Sequence, residues 1–339
     1  MEENDAGREE AGRWMDGRKR VINYLRVSLT DRCNLRCIYC MPPEGIKPLP
    51  HKEILTYEEI LHVVRVAVEG GIRKVRLTGG EPLVRKDVMS FIRRLAQVPG
   101  LEQVTLTTNG VLLAEYASEL RDCGVSGVNV SLDSLRPERF AMITRRDAFH
   151  QVWEGLLEAE RVGFRSVKLN VVAMRGINDD EILDFAGLSL ERPFHVRFIE
   201  FMPVGVDNGW SDDRFISAGE IRERIQAVGS LSPLVHRPLD GPAERFMLEG
   251  GRGEIGFIAA LSHHFCTLCN RLRLTPEGHL RGCLFSDYEI DLKGPLRAGA
   301  TDDVLMERIQ HAVETKPGWH GRLVNTPRKC TRPMSSIGG

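Results

Sequence analysis

The sequence predicts an α/β protein: a partial (βα)6 TIM-type barrel with a C-terminal, mostly β extension closing the barrel mouth. Three observations carry this reading. From about residue 22 to residue 228, short strand-like runs alternate with longer helical patterns, which implies a parallel sheet covered by helices. Beyond about Ser230 the pattern changes to short strands punctuated by turns. Each of the first six strands also runs into polar or glycine-rich residues, and barrels gather their chemistry at the C-terminal ends of their strands.

The strands are predicted at Tyr24–Ser28, Lys74–Thr78, Gln103–Thr107, Gly127–Ser131, Val167–Ala173 and Val196–Phe201. Helices are predicted at Tyr57–Glu69, Lys86–Gln97, Leu113–Asp122, Phe149–Val162, Asp180–Leu188 and Ala218–Ala227. Their apolar residues recur at i, i+3 and i+4, as in Ile60, Val63, Val64, Ala67 and Val68. A closed barrel needs eight βα units, so six favour an open one. In the extension, strands are expected at Leu234–His236, Phe246–Leu248, Ile255–Ile258, Leu272–Leu274 and Leu280–Arg281, followed by a helix at Asp302–Glu314. Gly250–Gly253 and Pro276–Gly278 mark turns. The domains expected are a flexible, charged extension over 1–20, a barrel over 21–230 and a C-terminal domain over 231–339.

Charge and hydropathy exclude several classes. A formal net charge of −1 offers no global basic field for nucleic acid. No apolar run approaches the roughly 20 residues of a membrane helix, and Met1–Arg20 has no apolar core of a secretory signal. A cytoplasmic location is expected, where clustered cysteines mean metal or redox chemistry rather than disulfides.

The cysteines are the sharpest signal. Cys33, Cys37 and Cys40 form C-x3-C-x2-C directly after the first strand. A closed zinc site or fully protein-ligated cluster wants four protein ligands, and the next cysteine is Cys123. Three thiolates and an open position suit a centre that binds something else. A zinc knuckle with a distant fourth ligand is the alternative, although such sites more often use C-x2-C pairs. Cys266, Cys269 and Cys283 make a second triplet, C-x2-C-x13-C. Cys123 reads as an ordinary buried thiol, and Cys330 receives no assignment.

Gly79-Gly80-Glu81-Pro82 ends the second strand, Thr107-Thr-Asn-Gly110 the third, Ser131-Leu-Asp-Ser134 the fourth and Glu200-Phe-Met-Pro203 the sixth. Taken singly, Asn109-Gly110 is a turn and Asp133 a helix cap. Arg26, Arg76 and Lys168 lie inside otherwise apolar strands, and Arg271 and Arg273 flank Leu272 after the second cysteine pair. Buried cations are costly unless paired. Each could pair with a carboxylate or reach solvent; together they suggest a buried polyanion, most simply a triphosphate gripped by side chains, since no Walker loop occurs.

The first triplet and Gly-Gly-Glu-Pro resemble the signature of the radical S-adenosylmethionine (SAM) enzymes. With Thr-Thr-Asn-Gly, the second triplet, Asn270-Arg-Leu-Arg273 and the terminal Gly338-Gly339, the chain over roughly 20–339 resembles the GTP 3′,8-cyclases of molybdenum-cofactor biosynthesis (the MoaA family). The resemblance implies two [4Fe-4S] clusters, one on Cys33, Cys37 and Cys40 that chelates SAM, and one on Cys266, Cys269 and Cys283 that binds the guanine of GTP. It places Tyr39, Gly80, Ser131 and Met202 at SAM, with Gly79 and Glu81 as weaker contacts; for a lone Met, core packing is the alternative. It places Arg26, Arg76, Thr107, Lys168, Arg271, Leu272 and Arg273 at GTP.

The reaction implied is a lyase-type one. Reductive cleavage of SAM gives a 5′-deoxyadenosyl radical, which takes hydrogen from ribose C3′, and ring closure at C8 yields 3′,8-cyclo-7,8-dihydro-GTP. No protein side chain beyond the cluster ligands is expected to be catalytic. Implied partners are GTP, a one-electron donor of the flavodoxin or ferredoxin type, cyclic pyranopterin monophosphate synthase as recipient of the product, and a second copy in a homodimer; no membrane and no nucleic acid are expected. Gly338-Gly339 can either fray or thread a narrow passage into the cavity as a regulatory tail. The alternatives are a peptide-modifying radical SAM enzyme with an auxiliary cluster, and a non-enzymatic zinc-stabilised binding protein.

Overall fold

The computed structural model describes residues 14–205, 208–237, 239–318 and 330–338. In chain order the repeating units are β1 (Tyr24–Ser28), α1 (Tyr57–Glu69), β2 (Lys74–Thr78), α2 (Val88–Ala96), β3 (Gln103–Thr108), α3 (Leu113–Asp122), β4 (Val125–Ser131), α4 (Pro137–Thr144), α5 (Phe149–Arg161), β5 (Ser166–Ala173), α6 (Ile182–Glu191), β6 (Phe194–Glu200) and α7 (Ala218–Gln226). The C-terminal part adds β7 (Leu231–Pro233), β8 (Glu244–Leu248), β9 (Glu254–Ile258), β10 (Arg271–Leu274), β11 (His279–Arg281), β12 (Ile290–Asp291), α8 (Lys293–Arg297) and α9 (Asp302–Glu314).

All the strands join one sheet, in the order β12-β11-β10-β1-β2-β3-β4-β5-β6-β9-β8-β7. The six expected parallel strands are there, consecutive and in sequence order. The C-terminal part does more than cap them. β10 pairs parallel to β1 and β9 pairs parallel to β6, so the parallel array grows to eight strands. The segment between β9 and β10 then runs from one edge of the array to the other, across the gap of the barrel.

Side-chain alternation explains why this barrel holds a cavity. Leu25, Val27, Val75, Leu77, Val104, Leu106, Val128 and Val130 are buried toward the helices. The intervening positions are polar: Arg26, Ser28, Arg76, Thr78, Thr105, Thr107, Asn129 and Ser131. A barrel interior is ordinarily filled by branched apolar side chains; here the period of two turns a polar set inward. Helix α1 shows the local logic of the outer layer. Thr56 and Glu59 form a reciprocal capping box at its start, and its apolar stripe lies on the sheet.

Within the stretch 1–20, Trp14, Asp16 and Arg20 are buried. Trp14 is buried and its indole N–H donates to the Ala67 carbonyl at 2.8 Å. Asp16 and Arg20 form a buried ion pair. One large apolar residue in a charged stretch is enough to anchor it. The strand expected at Leu234–His236 lies earlier, at β7, and the 86–97 helix starts later, at Val88, because Asp87 before it takes a left-handed backbone with φ +58°. α4, β12 and α8 were not anticipated; all three are short, where periodicity is weakest.

Candidate active site

The Cys33–Cys40 loop leaves β1 and is held by its neighbours. Gly80 N–H donates to Thr30 O at 2.7 Å and Glu81 N–H to Arg32 O at 2.8 Å. A Cβ on Gly79 would stand 2.8 Å from Thr30 O, and one on Gly80 only 2.4 Å from Arg32 O. The glycines are therefore required by the cysteine loop's own backbone, besides lining the cavity. Tyr39 donates its hydroxyl to Asp133 Oδ2 at 2.6 Å, and Val172 N–H donates to the other carboxylate oxygen. Asp133 anchors the loop rather than capping a helix. Burial lifts the Asp133 carboxyl to about 6 despite these bonds.

Glu81, expected as a weaker SAM contact, is not among the residues that line the cavity. Its side chain is fully buried and accepts from Leu83 N–H, Thr108 Oγ1 and Asn109 N–H at 3.1, 2.8 and 2.6 Å. It ties Gly-Gly-Glu-Pro to Thr-Thr-Asn-Gly. Asn109 in turn donates to Asn34 at 2.6 Å and toward Cys33 Sγ at 3.7 Å. A carboxylate is suited to gathering three donors.

The closing segment is fixed by another buried carboxylate. Glu200, at the end of β6, accepts from Ala218 N–H at 2.9 Å, Leu261 N–H at 2.7 Å and Ser262 N–H at 3.0 Å. Cys266 and Cys269 follow on this segment, and Cys283 follows β11. Both triplets face one cavity of about 280 Å3. Tyr39, Gly79, Gly80, Ser131 and Met202 line it, as do Arg26, Arg76, Thr107, Arg271 and Arg273. Lys168 and Leu272 are not among the lining residues. Lys168 is on the inward face, paired in register with Asn129 and His195. The Leu272 side chain is buried in the apolar core, as alternation between two inward arginines demands.

The sequence reading missed two cations of this set. Arg197, in β6, lines the cavity, and Lys74 starts β2 with its ammonium donating to Leu239 O at 2.7 Å. In register, Arg273, Arg26 and Arg76 stand side by side on three adjacent strands. Burial, then Arg273, drives the Arg26 guanidinium well below its usual range. Burial, then Arg76 and Arg197, brings Lys74 to about 7. Lys168 is driven well below its usual range by burial and the same neighbours, and Arg197 falls to about 10. Such crowding of like charges calls for an anion. Thr107 Oγ1, Asn129 Nδ2 and Asn170 Oδ1 are buried on the same face without hydrogen-bond partners, as sites that await a ligand often are.

The tail enters this cavity. Cys330 bridges to Val204, and Ile337 packs with Val204 beside Met202. Gly338 O accepts from Arg26 Nε at 3.2 Å and Arg273 Nη1 at 3.0 Å. With φ at +70° and Thr78 Oγ1 2.7 Å from any Cβ, only glycine fits at Gly338. Gly339 lies outside the described residues.

The thiols fit metal ligation. Burial raises Cys33, raises Cys37 well above its usual range, and pushes Cys40 up to about 12. Bound iron deprotonates such thiols outright. Cys269 differs: against burial, Arg271 and Lys316 bring it down to about 6. Among the described residues no three Cys, His or carboxylate side chains meet closely enough for a single ion; thiolates on separate irons of one cluster need not.

A partial barrel with three cysteines after its first strand is the build of the radical SAM class, and residues 27–188 match the family model "Radical SAM superfamily". Residues 194–321 match "Molybdenum Cofactor Synthesis C". The GTP 3′,8-cyclase of Moorella thermoacetica is 51% identical over 95% of this chain and 98% of its own length. That of Thermodesulfovibrio yellowstonii is 52% identical, over 96% and 99%. Among solved structures, Streptococcus suis SuiB bound to S-adenosylmethionine covers 92% of this chain, and is itself 77% covered, at a TM-score of 0.61 and 13% identity, a likeness of fold. The chain belongs to the GTP 3′,8-cyclase family, within the radical SAM superfamily. Membership implies SAM and a [4Fe-4S] cluster. No helix among the described residues is long and apolar enough to cross a membrane.

Proposed function

We infer that this protein converts GTP to 3′,8-cyclo-7,8-dihydro-GTP, an early step of molybdenum-cofactor biosynthesis. The observation that carries the reading is the shared cavity: two cysteine triplets line it, with a row of buried cations on its strands. Cys33, Cys37 and Cys40 would hold one [4Fe-4S] cluster, with SAM among Tyr39, Gly79, Gly80, Ser131 and Met202. Cys266, Cys269 and Cys283 would hold a second, with the guanine of GTP. Bound together, the first cluster and SAM supply one-electron radical chemistry, the abstraction of hydrogen from ribose C3′.

The chain's own residues do the positioning. Arg26, Arg76, Arg271 and Arg273 grip the triphosphate through fork-shaped donors, with Lys74, Lys168 and Arg197 adding charge. Asp133 fixes Tyr39, and so the face of the first cysteine loop that meets SAM. The tail and the 259–270 segment exclude water from the ribose. A flavodoxin- or ferredoxin-type donor supplies the electron, and cyclic pyranopterin monophosphate synthase receives the product.

Anaerobic reconstitution with iron and sulfide, then incubation with SAM, GTP and dithionite, tests this. The expected outcome is 5′-deoxyadenosine together with cyclised GTP. SAM cleavage with GTP recovered unchanged would contradict it.

A further inference from the structure

Two further cations that line the same cavity, and that the sequence reading did not name, reach the three limbs that carry the second cysteine triplet. Lys316 lies two residues past the end of α9 and is buried. Its ammonium has three hydrogens, and three acceptors surround it: Arg271 O at 2.7 Å, Gly282 O at 2.6 Å and Cys269 Sγ at 3.5 Å. Arg271 lies two residues after Cys269, and Gly282 just before Cys283. One side chain therefore joins two of the cysteine limbs.

Arg20 holds the remaining limb. It donates through Nη1 to Cys266 O at 2.5 Å, and through Nη2 to Pro317 O at 3.0 Å and Lys316 O at 3.4 Å. Its Nε donates to Asp16 Oδ2 at 2.6 Å, and Asp16 belongs to the segment anchored by Trp14. The first triplet's loop has guanidinium ties of its own, Arg36 Nη1 to Cys33 O at 2.6 Å and Arg145 Nη1 to Met41 O at 2.9 Å, but the side-chain donor near its Cys33 Sγ is the neutral amide of Asn109.

We propose that Lys316 and Arg20 form a basic bracket that assembles the second cluster's site, with Lys316 also setting that cluster's potential. The inference rests on the two-cluster reading given above. Partners just outside a metal's ligands orient those ligands and tune the centre. A hydrogen-bond donor and a positive charge beside a cluster thiolate favour the reduced cluster, which carries one more negative charge. Lys316 and Arg20 act through the cysteines and their backbone, so both are positioning residues.

The test uses the full chain, reconstituted anaerobically, as wild type, Lys316→Met and Arg20→Met. Iron and sulfide are counted, and each cluster's midpoint potential is followed by electron paramagnetic resonance. Lys316→Met should make the second cluster harder to reduce, by at least tenfold in its reduced-to-oxidised ratio at fixed potential, or 59 mV for one electron. The first cluster's potential should not move. Arg20→Met should release iron from the second site to a chelator about tenfold faster, with the first site unchanged. An unshifted second potential in Lys316→Met, or unchanged release in Arg20→Met, would overturn the bracket. So would equal loss of both clusters in either variant, since that marks general misfolding. A wild type binding about four irons instead of about eight would overturn the two-cluster reading itself, a result distinct from any variant's.

Discussion

At the scale of single residues, the site is a balance between burying cations and supplying an anion. Arg273 is lowered to about 10 by burial and by Arg271, and it holds both the tail and a place at the cavity. Arg273→Ala is predicted to weaken GTP binding by about 1.5–3 kcal/mol, the usual worth of hydrogen bonds to a charged group, read by anaerobic calorimetry. Unchanged affinity would move Arg273 out of the triphosphate site. Lys74 gives a pH dependence. Its ammonium, lowered to about 7 by burial and by Arg76 and Arg197, is lost as pH rises through that value. A bound triphosphate favours the ammonium, so binding takes up a proton above pH 7 and affinity falls as pH rises, approaching about tenfold per unit. Calorimetry in buffers of different ionisation enthalpy should show the uptake, and Lys74→Met should reduce it, leaving the share taken up by Lys168. Arg26, Arg76 and Arg273 were legible because an arginine between apolar strand residues is conspicuous. Lys74 was not, since a lysine at a strand's first position looks like a solvated end. That the Leu272 side chain lies in the core between two inward arginines follows from alternation, which a tripeptide carried over by resemblance as a block does not show.

At the scale of elements, buried carboxylates join strand ends to loops. Glu81 is lifted to about 7 by burial, yet it gathers the donors of Leu83, Thr108 and Asn109. Glu81→Ala leaves two buried backbone N–H groups unpaired, and is predicted to cost about 3 kcal/mol, at roughly 1–3 kcal/mol per stranded group. Urea unfolding of the metal-free protein measures this; a loss below about 1 kcal/mol would mean that water replaces the carboxylate. Glu200→Ala should free the 259–270 segment, so that reconstituted protein loses the iron of the second triplet and keeps that of the first. Strands β1 to β6 were readable because local alternation and turn residues define them. The sheet positions of β9 and β10 were not, because parallel pairing with β6 and β1 is a contact across the barrel's gap. Nor did a lone glutamate in Gly-Gly-Glu-Pro or Glu-Phe-Met-Pro announce that it serves backbone amides.

At the scale of the whole molecule, one cavity is made from parts far apart in the chain: a cysteine loop near the start, a segment crossing the barrel's gap, and the tail over 330–338. The tail's Gly338 carbonyl meets Arg26 and Arg273, so the C-terminus completes the cation wall. Appending one alanine after Gly339 is predicted to leave folding and iron content intact and to depress cyclisation at least tenfold; full activity in a C-terminally tagged protein would contradict that. The glycines were visible in the sequence, but their partners were not, since the tail's path depends on Cys330 and Ile337 docking against Val204. The central claim is that the two triplets divide the labour within one cavity, the first serving SAM and the second GTP. Its most direct test is Cys283→Ser, reconstituted anaerobically and given SAM, GTP and dithionite, with 5′-deoxyadenosine and cyclised GTP measured in the same samples. 5′-Deoxyadenosine should still form while cyclised GTP is nearly absent; loss of both products together, or normal yields of both, would contradict this division.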